Sequence, residues 1–323
     1  MNIKLSARGF TTALFAMLLV GGLCGRAGAI ITNPISACGT LSSPGNYFLT
    51  NNLSAAGDCL VIGASNVAID LKGKTITGNG SGSAINDGGV QHNFAIIANG
   101  KIRNFNNGIL LGNSGLAIIS NIDSSKNTSD GILIDRCCNT LNSVIANGNG
   151  GAGIVIFSDD SSLAKIETNG NGDGGIFISQ CCNLLVEGVA NNNTGIGVQI
   201  NSDDSFVVGA TMQHNTGIGL RMIFDSGVIK VNTSNNGGDG MEFTSTVNQV
   251  IQSKSNKNVG TGIDFLSRFG VISGVQTNRN GGDGVDIVCR GSTASLTALH
   301  NTGSNFVQTN SDGPCANLNL NAP

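Results

Sequence analysis

The stretch Asn193–Met222 reads NTGIGVQINSDDSFVVGATMQHNTGIGLRM, and its opening NTGIG returns 22 residues later. Extending that step in both directions finds one glycine column: Gly108, Gly131, Gly153, Gly175, Gly197, Gly219, Gly240, Gly262 and Gly284, at spacings of 23, 22, 22, 22, 22, 21, 22 and 22. A fixed period of this length is the mark of a stacked repeat. Positions one and three after the glycine are apolar, as in Ile132 with Ile134, Val198 with Ile200 and Val285 with Ile287. That period-2 pattern predicts a strand with one face in a core. A second apolar column, ten after the glycine, holds Leu141, Leu163, Leu185, Val207, Ile229, Val250 and Ile272. Each repeat therefore predicts two inward-facing strand segments.

Four before each glycine stands an asparagine: Asn104, Asn127, Asn149, Asn171, Asn193, Asn215, Asn236, Asn258 and Asn280. Stacked amides hydrogen-bond from coil to coil, and asparagine and glycine tolerate the left-handed backbone of a tight corner.

Composition agrees with a packed, stacked chain. Glycine supplies 48 of 323 residues, proline four and charged residues 11%, while hydrophobic residues make up 40%. The glycine share is about twice the usual ~7%, and the charge is far below the usual ~25%. A net charge of −3 without basic clusters offers nothing to neutralise phosphates and argues against a nucleic-acid partner.

The ladder, with NVAIDLKGKTITG (Asn66–Gly78) and NGKIRNFNNGI (Asn99–Ile109) before it, resembles right-handed parallel β-helix repeat proteins of the pectin-lyase-like superfold. It is similar above all to the exported subgroup that includes the copper-associated periplasmic NosD type. The resemblance spans roughly residues 38–307 and implies an all-β, right-handed, single-stranded parallel β-helix of about 11–12 coils, ~22 residues per coil. It does not fix an activity, because this superfold hosts lyases, hydrolases, epimerases and non-catalytic proteins.

Residues 1–29 are expected to be a signal peptide, with Lys4 and Arg8, an apolar run Ala13–Leu23 and a small-residue cleavage site Ala27–Ala29. No later run reaches the roughly 20 apolar residues of a membrane helix. The expected product is exported, to the periplasm or the cell exterior. Residues 30–62 are expected to cap the first coil, 63–302 to form the β-helix, and 303–323 to cap its far end.

Eight cysteines remain beyond Cys24, an even number in a compartment that permits disulfides. Cys38 and Cys59, 21 residues apart, and Cys289 and Cys315 are expected to pin the two ends. Cys137, Cys138, Cys181 and Cys182 fall six and seven after their glycines, on one corner, where Asp159, Asp160, Asp203 and Asp204 fill the alternate coils. Two coils separate the pairs, about 9.6 Å, beyond the ~7 Å reach of a disulfide. Each pair is expected to close on itself as a vicinal disulfide, to stay as free thiols filling space, or to meet the carboxylates around a soft metal such as copper(I). The runs GGDGVD (Gly281–Asp286) and GGDGME (Gly237–Glu242) match a glycine-rich calcium repeat, but their glycines belong to the ladder. His92, His214 and His300 are expected at solvated corners. No cofactor is predicted.

Position two after each glycine faces outward and runs Leu110, Leu133, Val155, Phe177, Gln199, Arg221, Glu242, Asp264, Asp286. The apolar half is a stripe that a soluble monomer covers or uses for self-association. The charged half offers catalytic candidates: Glu242, Asp264 and Asp286 at coil spacing suit glycosidic acid–base chemistry, and Arg221 suits a uronate carboxylate. Enzyme signatures of the superfold are missing: prolines at 34, 44, 314 and 323 leave no Asp-Pro-His-Asp run of the alginate epimerases, no histidine is flanked by glycines as in polygalacturonases, and Tyr47 is the one Tyr in a chain without Trp. The leading expectation is an exported rod that binds glycans or other surface components, or serves a structural role. A polysaccharide lyase, hydrolase or epimerase is the alternative, and envelope metal handling a third.

Overall fold

The computed structural model describes residues 32–245, 248–266, 269–288, 292–309 and 318–321. Every described element is a strand, and the strands form two parallel sheets, one of 13 strands and one of 20, in a solenoid of about 12 turns. The 13-stranded sheet carries the glycine column. In it, Ile196–Asn201 pairs in parallel with Gly174–Ser179 on one side and Leu220–Met222 on the other. The second sheet holds one long strand per coil from Ala95–Arg103 to Ser162–Glu167, as in Ile118–Ser124 and Thr140–Ile145. From Leu184–Val186 and Val189–Asn191 onward, that strand is mostly split in two.

Between the sheets runs one continuous apolar core. Ile132, Ile134, Ile154, Ile156, Val198 and Ile200 are all at most 1% exposed, as are Leu141, Leu163, Leu185 and Val207 facing them. One member of the second column differs from expectation. The buried residue is Val228, in register with Val207 and Val250, while Ile229 points outward. The coil from Gly219 to Gly240 is one residue shorter, and the loss falls at the corner before Ser226, which pairs with Ser205.

The glycines are required for space rather than for an unusual backbone. A Cβ on Gly175 would lie 2.4 Å from the carbonyl oxygen of Gly197, and one on Gly197 would lie 2.6 Å from that of Gly219. No column glycine has a positive φ. The left-handed positions fall instead in three other columns, one per bend. They hold, for example, Asn121, Ser143, Lys165 and Glu187 at one bend, Lys126, Asn192, His214 and Lys257 at the second, and Leu116, Cys138, Asp160, Cys182 and Asp204 at the third.

The asparagine ladder lies next to the second of these columns and is buried. From Asn127 to Asn258, both the backbone N–H and the side-chain amide donate to Oδ1 of the asparagine one coil on, at 2.9–3.1 Å. Asn104 is not a rung. It is exposed with φ +60°, and Phe105 takes the slot, its N–H donating to Asn127 Oδ1. At the far end the ladder continues from Asn280 to Asn301, a rung outside the glycine count.

Residues 30–62, expected as a cap, already contribute coils: Thr32–Ile35 pairs with Gly45–Leu49, and Gly39–Leu41 with Leu60–Ile62. Within 303–323, Phe306–Thr309 and Leu318–Asn321 likewise extend the two sheets. A disulfide joins Cys38 to Cys59, with Cα atoms 4.5 Å apart. Cys289, Cys315 and the proposed signal peptide lie outside the described residues.

Candidate functional site

The outward column is one unbroken register ladder across the 13-stranded sheet. Leu110, Leu133, Val155, Phe177, Gln199, Arg221, Glu242, Asp264 and Asp286 are each opposite the next. The fold places them so because the side chains on either side of each, at the apolar positions, are drawn into the core. In the apolar half the stripe is largely shielded by its own stacking. Val155 is 8% exposed, and Leu110, Leu133 and Phe177 are half-buried. The exposed bulk on that side is Phe157, 40% exposed, whose ring meets Phe177 edge to face at 5.6 Å.

The charged half forms a cluster of one cation and four acids. Arg221 donates from both Nε and Nη2 to Glu242 Oε2, at 2.9 and 2.7 Å. Its fork is thus spent on a neighbouring carboxylate, which leaves the expected uronate partner competing with Glu242 for it. Asp264 lies between Glu242 and Asp286, and its Oδ1 is buried with no hydrogen-bond partner. Burial, and then the charges of Asp239, Asp286 and Glu242, push the Asp264 carboxyl up to about 6. Asp286 differs because its Oδ1 accepts the Thr309 hydroxyl.

Asp239 is the member that the sequence did not point out. It sits just before Gly240, its Oδ1 accepts the Thr261 N–H at 2.6 Å, and burial together with the Glu242 charge raises its pKa despite that bond and the nearby Arg221. A signal was present: aspartate also precedes Gly131 and Gly284, and Asp130 and Asp283 likewise accept a backbone N–H one coil on. In GGDGME and GGDGVD, then, Asp239 and Asp283 use a carboxylate oxygen to tie adjacent coils. Among the described residues no group of three or more His, Cys, Asp or Glu is placed to hold a metal ion. His214 and His300 occupy left-handed positions at the exposed bend.

The cysteine corner is a separate site. Cys137 is bonded to Cys138 and Cys181 to Cys182, each pair having Cα atoms 3.8 Å apart. One aspartate between them serves the backbone: Asp159 Oδ1 accepts the Cys181 N–H at 2.9 Å. Beneath the corner runs a second buried ladder in which Asn139, Ser161, Asn183 and Ser205 alternate, each backbone N–H meeting the next side-chain oxygen.

No protein-family model matches the chain, and no curated protein matches its sequence. Solved structures do match. The A-module of the mannuronan C-5 epimerase AlgE6 of Azotobacter vinelandii aligns over 88% of this chain and 91% of that module, at TM-score 0.71 and 14% identity. The A-module of AlgE4 from the same organism aligns over 87% and 91%, at 0.60 and 14%. The catalytic domain of a GH87 alpha-1,3-glucanase in complex with tetrasaccharides aligns over 92% of this chain and 68% of that one, at 0.64 and 11%. At these identities the likeness is one of fold, and the chain is a right-handed parallel β-helix.

Proposed function

We propose that the protein engages a neutral polysaccharide along the outer face of the 13-stranded sheet, with Glu242, Asp264 and Asp286 as its polar contacts. The observation that carries this reading is the Asp264 carboxyl: an unpartnered buried oxygen set between two acids in register. A carboxyl whose pKa is raised to about 6 keeps a protonated fraction close to neutral pH, and in that form it donates to a sugar hydroxyl as well as accepting from one. Four acids around one committed arginine repel a polyuronate and tolerate an uncharged chain. Among the structural neighbours, the alpha-1,3-glucanase in complex with tetrasaccharides supports an uncharged glycan, whereas the mannuronan C-5 epimerases support a polysaccharide only in general.

Glycan binding by the full chain tests this. Neutral glucan oligosaccharides are expected to bind more tightly than uronate oligosaccharides at pH 7, and Asp264→Ala is expected to weaken them about tenfold, the loss of one good polar contact. Glu242→Gln should release Arg221 and improve uronate binding. A wild-type preference for polyuronates, or a Glu242→Gln variant unchanged toward both classes, would sink the proposal.

A second reading is turnover on the same face. Asp264 has its pKa raised to about 6 and lies one coil from Glu242, which is paired to Arg221, so two carboxyl groups in different surroundings stand at the spacing of an acid–base pair. Loss of product formation in Asp264→Asn with the substrate still bound would mark catalysis; the absence of any product from wild type would leave binding alone.

A further inference from the structure

The two vicinal cystines share one corner but not one environment. Adjacent residues across a trans peptide are held about 3.8 Å apart, shorter than the ~4.4–6.8 Å at which cystines are ordinarily spanned. Such rings open more readily than a cystine like Cys38–Cys59, whose Cys59 is 1% exposed. Opening need not disturb the coil. Cys138 and Cys182 have φ of +72° and +67°, and Asp160 and Asp204, in the same slot of the alternate coils, have +51° and +50° without any disulfide. The stacked backbone bonds that impose this bend are the same in both kinds of coil: Cys138 N–H to Asp159 O at 2.9 Å and Asp160 N–H to Cys181 O at 3.0 Å.

The charges around the two pairs differ. Cys181–Cys182 lies between two rungs of paired acids, Asp159 with Asp160 and Asp203 with Asp204, and the slot before it holds the neutral Gln180. Cys137–Cys138 has the Asp159 and Asp160 rung on one side only. On its other side lies the uncharged Leu116, whose N–H donates to Cys137 O. Its own coil supplies Asp135 and, next to Cys137, Arg136. Fewer acids and one cation favour the thiolate that leaves when the ring opens. The same pair is also the more accessible: Cys137 is exposed and borders a groove lined by Leu116, Arg136, Phe157 and Gln180, whereas Cys181 and Cys182 are half-buried.

We propose that Cys137–Cys138 is a thiol-exchange site that an external dithiol reduces on an intact solenoid, ahead of the other cystines. The dithiol's thiolate attacks one sulfur, forming a mixed disulfide and releasing the neighbouring cysteine as a thiolate. The dithiol's second sulfur then displaces the remaining cysteine and closes as a cyclic disulfide. Two electrons and two protons pass from the dithiol to the cysteine pair. Arg136 acts as a positioning residue that stabilises the leaving thiolate.

The test uses the full chain, dithiothreitol as the dithiol, an alkylating quench and peptide mapping at pH 7. Cys137 and Cys138 are expected to be labelled at least about threefold faster than Cys181 and Cys182, the change that one unit in thiol pKa brings. Cys59 should remain unlabelled, and the β-sheet circular dichroism unchanged. In Arg136→Gln most of that lead should vanish while the rate of the second pair holds. Equal or reversed labelling in wild type, an undiminished lead in Arg136→Gln, or loss of β signal as the first pair opens would each overturn the proposal.

Discussion

The surroundings of Asp264 favour its protonated form, and that has a consequence for stability as well as for binding. Its pKa in the fold, about 6, lies above the ordinary 3.8, so between those values the folded state binds more protons than the unfolded chain. Stability from this group is therefore fully present below about pH 4 and is lost as pH rises through 6. The Asp264→Asn variant removes the charge that the site resists. It is expected to melt higher than wild type at pH 8, by roughly 1 kcal/mol once the partial exposure of the group is discounted, and the gap should close toward pH 4. Thermal melts at the two pH values check the sign: a variant less stable than wild type at pH 8 would show that Asp264 gains more from unseen partners than it loses to burial and repulsion.

At the scale of the element, the buried asparagine ladder does for this fold what capping does for helices: it satisfies backbone donors at a bend where the sheet cannot. Asn171 Oδ1 accepts both the N–H and the side-chain amide of Asn149, and its own two donors go to Asn193. All three residues are at most 2% exposed. Asn171→Ala leaves the buried Asn149 N–H without a partner and its side-chain amide with only the Ser124 carbonyl, and is expected to cost about 3 kcal/mol. Asn147 is a contrast, because its Oδ1 accepts the Asn169 N–H at 2.6 Å on a half-buried outer ladder. Water can replace that partner, so Asn147→Ala should cost only ~1 kcal/mol. Denaturant midpoints of the two variants measure the difference, and equal losses would show that burial is not what gives the inner ladder its weight.

For the whole molecule the solenoid behaves as stacked units, each touching only its neighbours. Removing residues 172–193 joins Asn171 to Thr194 and deletes one full period, so that Asn171 donates to Asn215 in place of Asn193. The shortened chain is expected to fold, with a rod shorter by about 4.8 Å. Removing 11 residues instead, 172–182, puts core positions on the solvent side of the coil and should abolish folding. Circular dichroism and small-angle scattering distinguish the outcomes, and a collapsed or unfolded one-period deletion would show that the coils are not interchangeable.

The sequence by itself determined the fold, the core and the outward face, because a 22-residue period constrains every coil at once. A glycine whose Cβ would strike the next coil's carbonyl, such as Gly175, leaves the same letter at the same slot each time. The Cys38–Cys59 link was also legible, from a spacing of one coil. What the tertiary structure alone decided is which residue fills each slot where the period slips and which groups then meet. The left-handed bends favour Asn and Gly but also accept Lys, Glu, Ser, Cys or Asp, because backbone bonds between coils meet much of their cost. The 23- and 21-residue steps marked the slips near Asn104 and Ile229, but that Phe105 and Val228 take the slots was decided by the stacked backbone. The charged face was visible as a list of residues, but its chemistry was not. Whether Arg221 is available depends on Glu242 reaching it, and the Asp264 proton depends on burial and on Asp239 from a neighbouring coil, quantities that exist only once the coils are stacked.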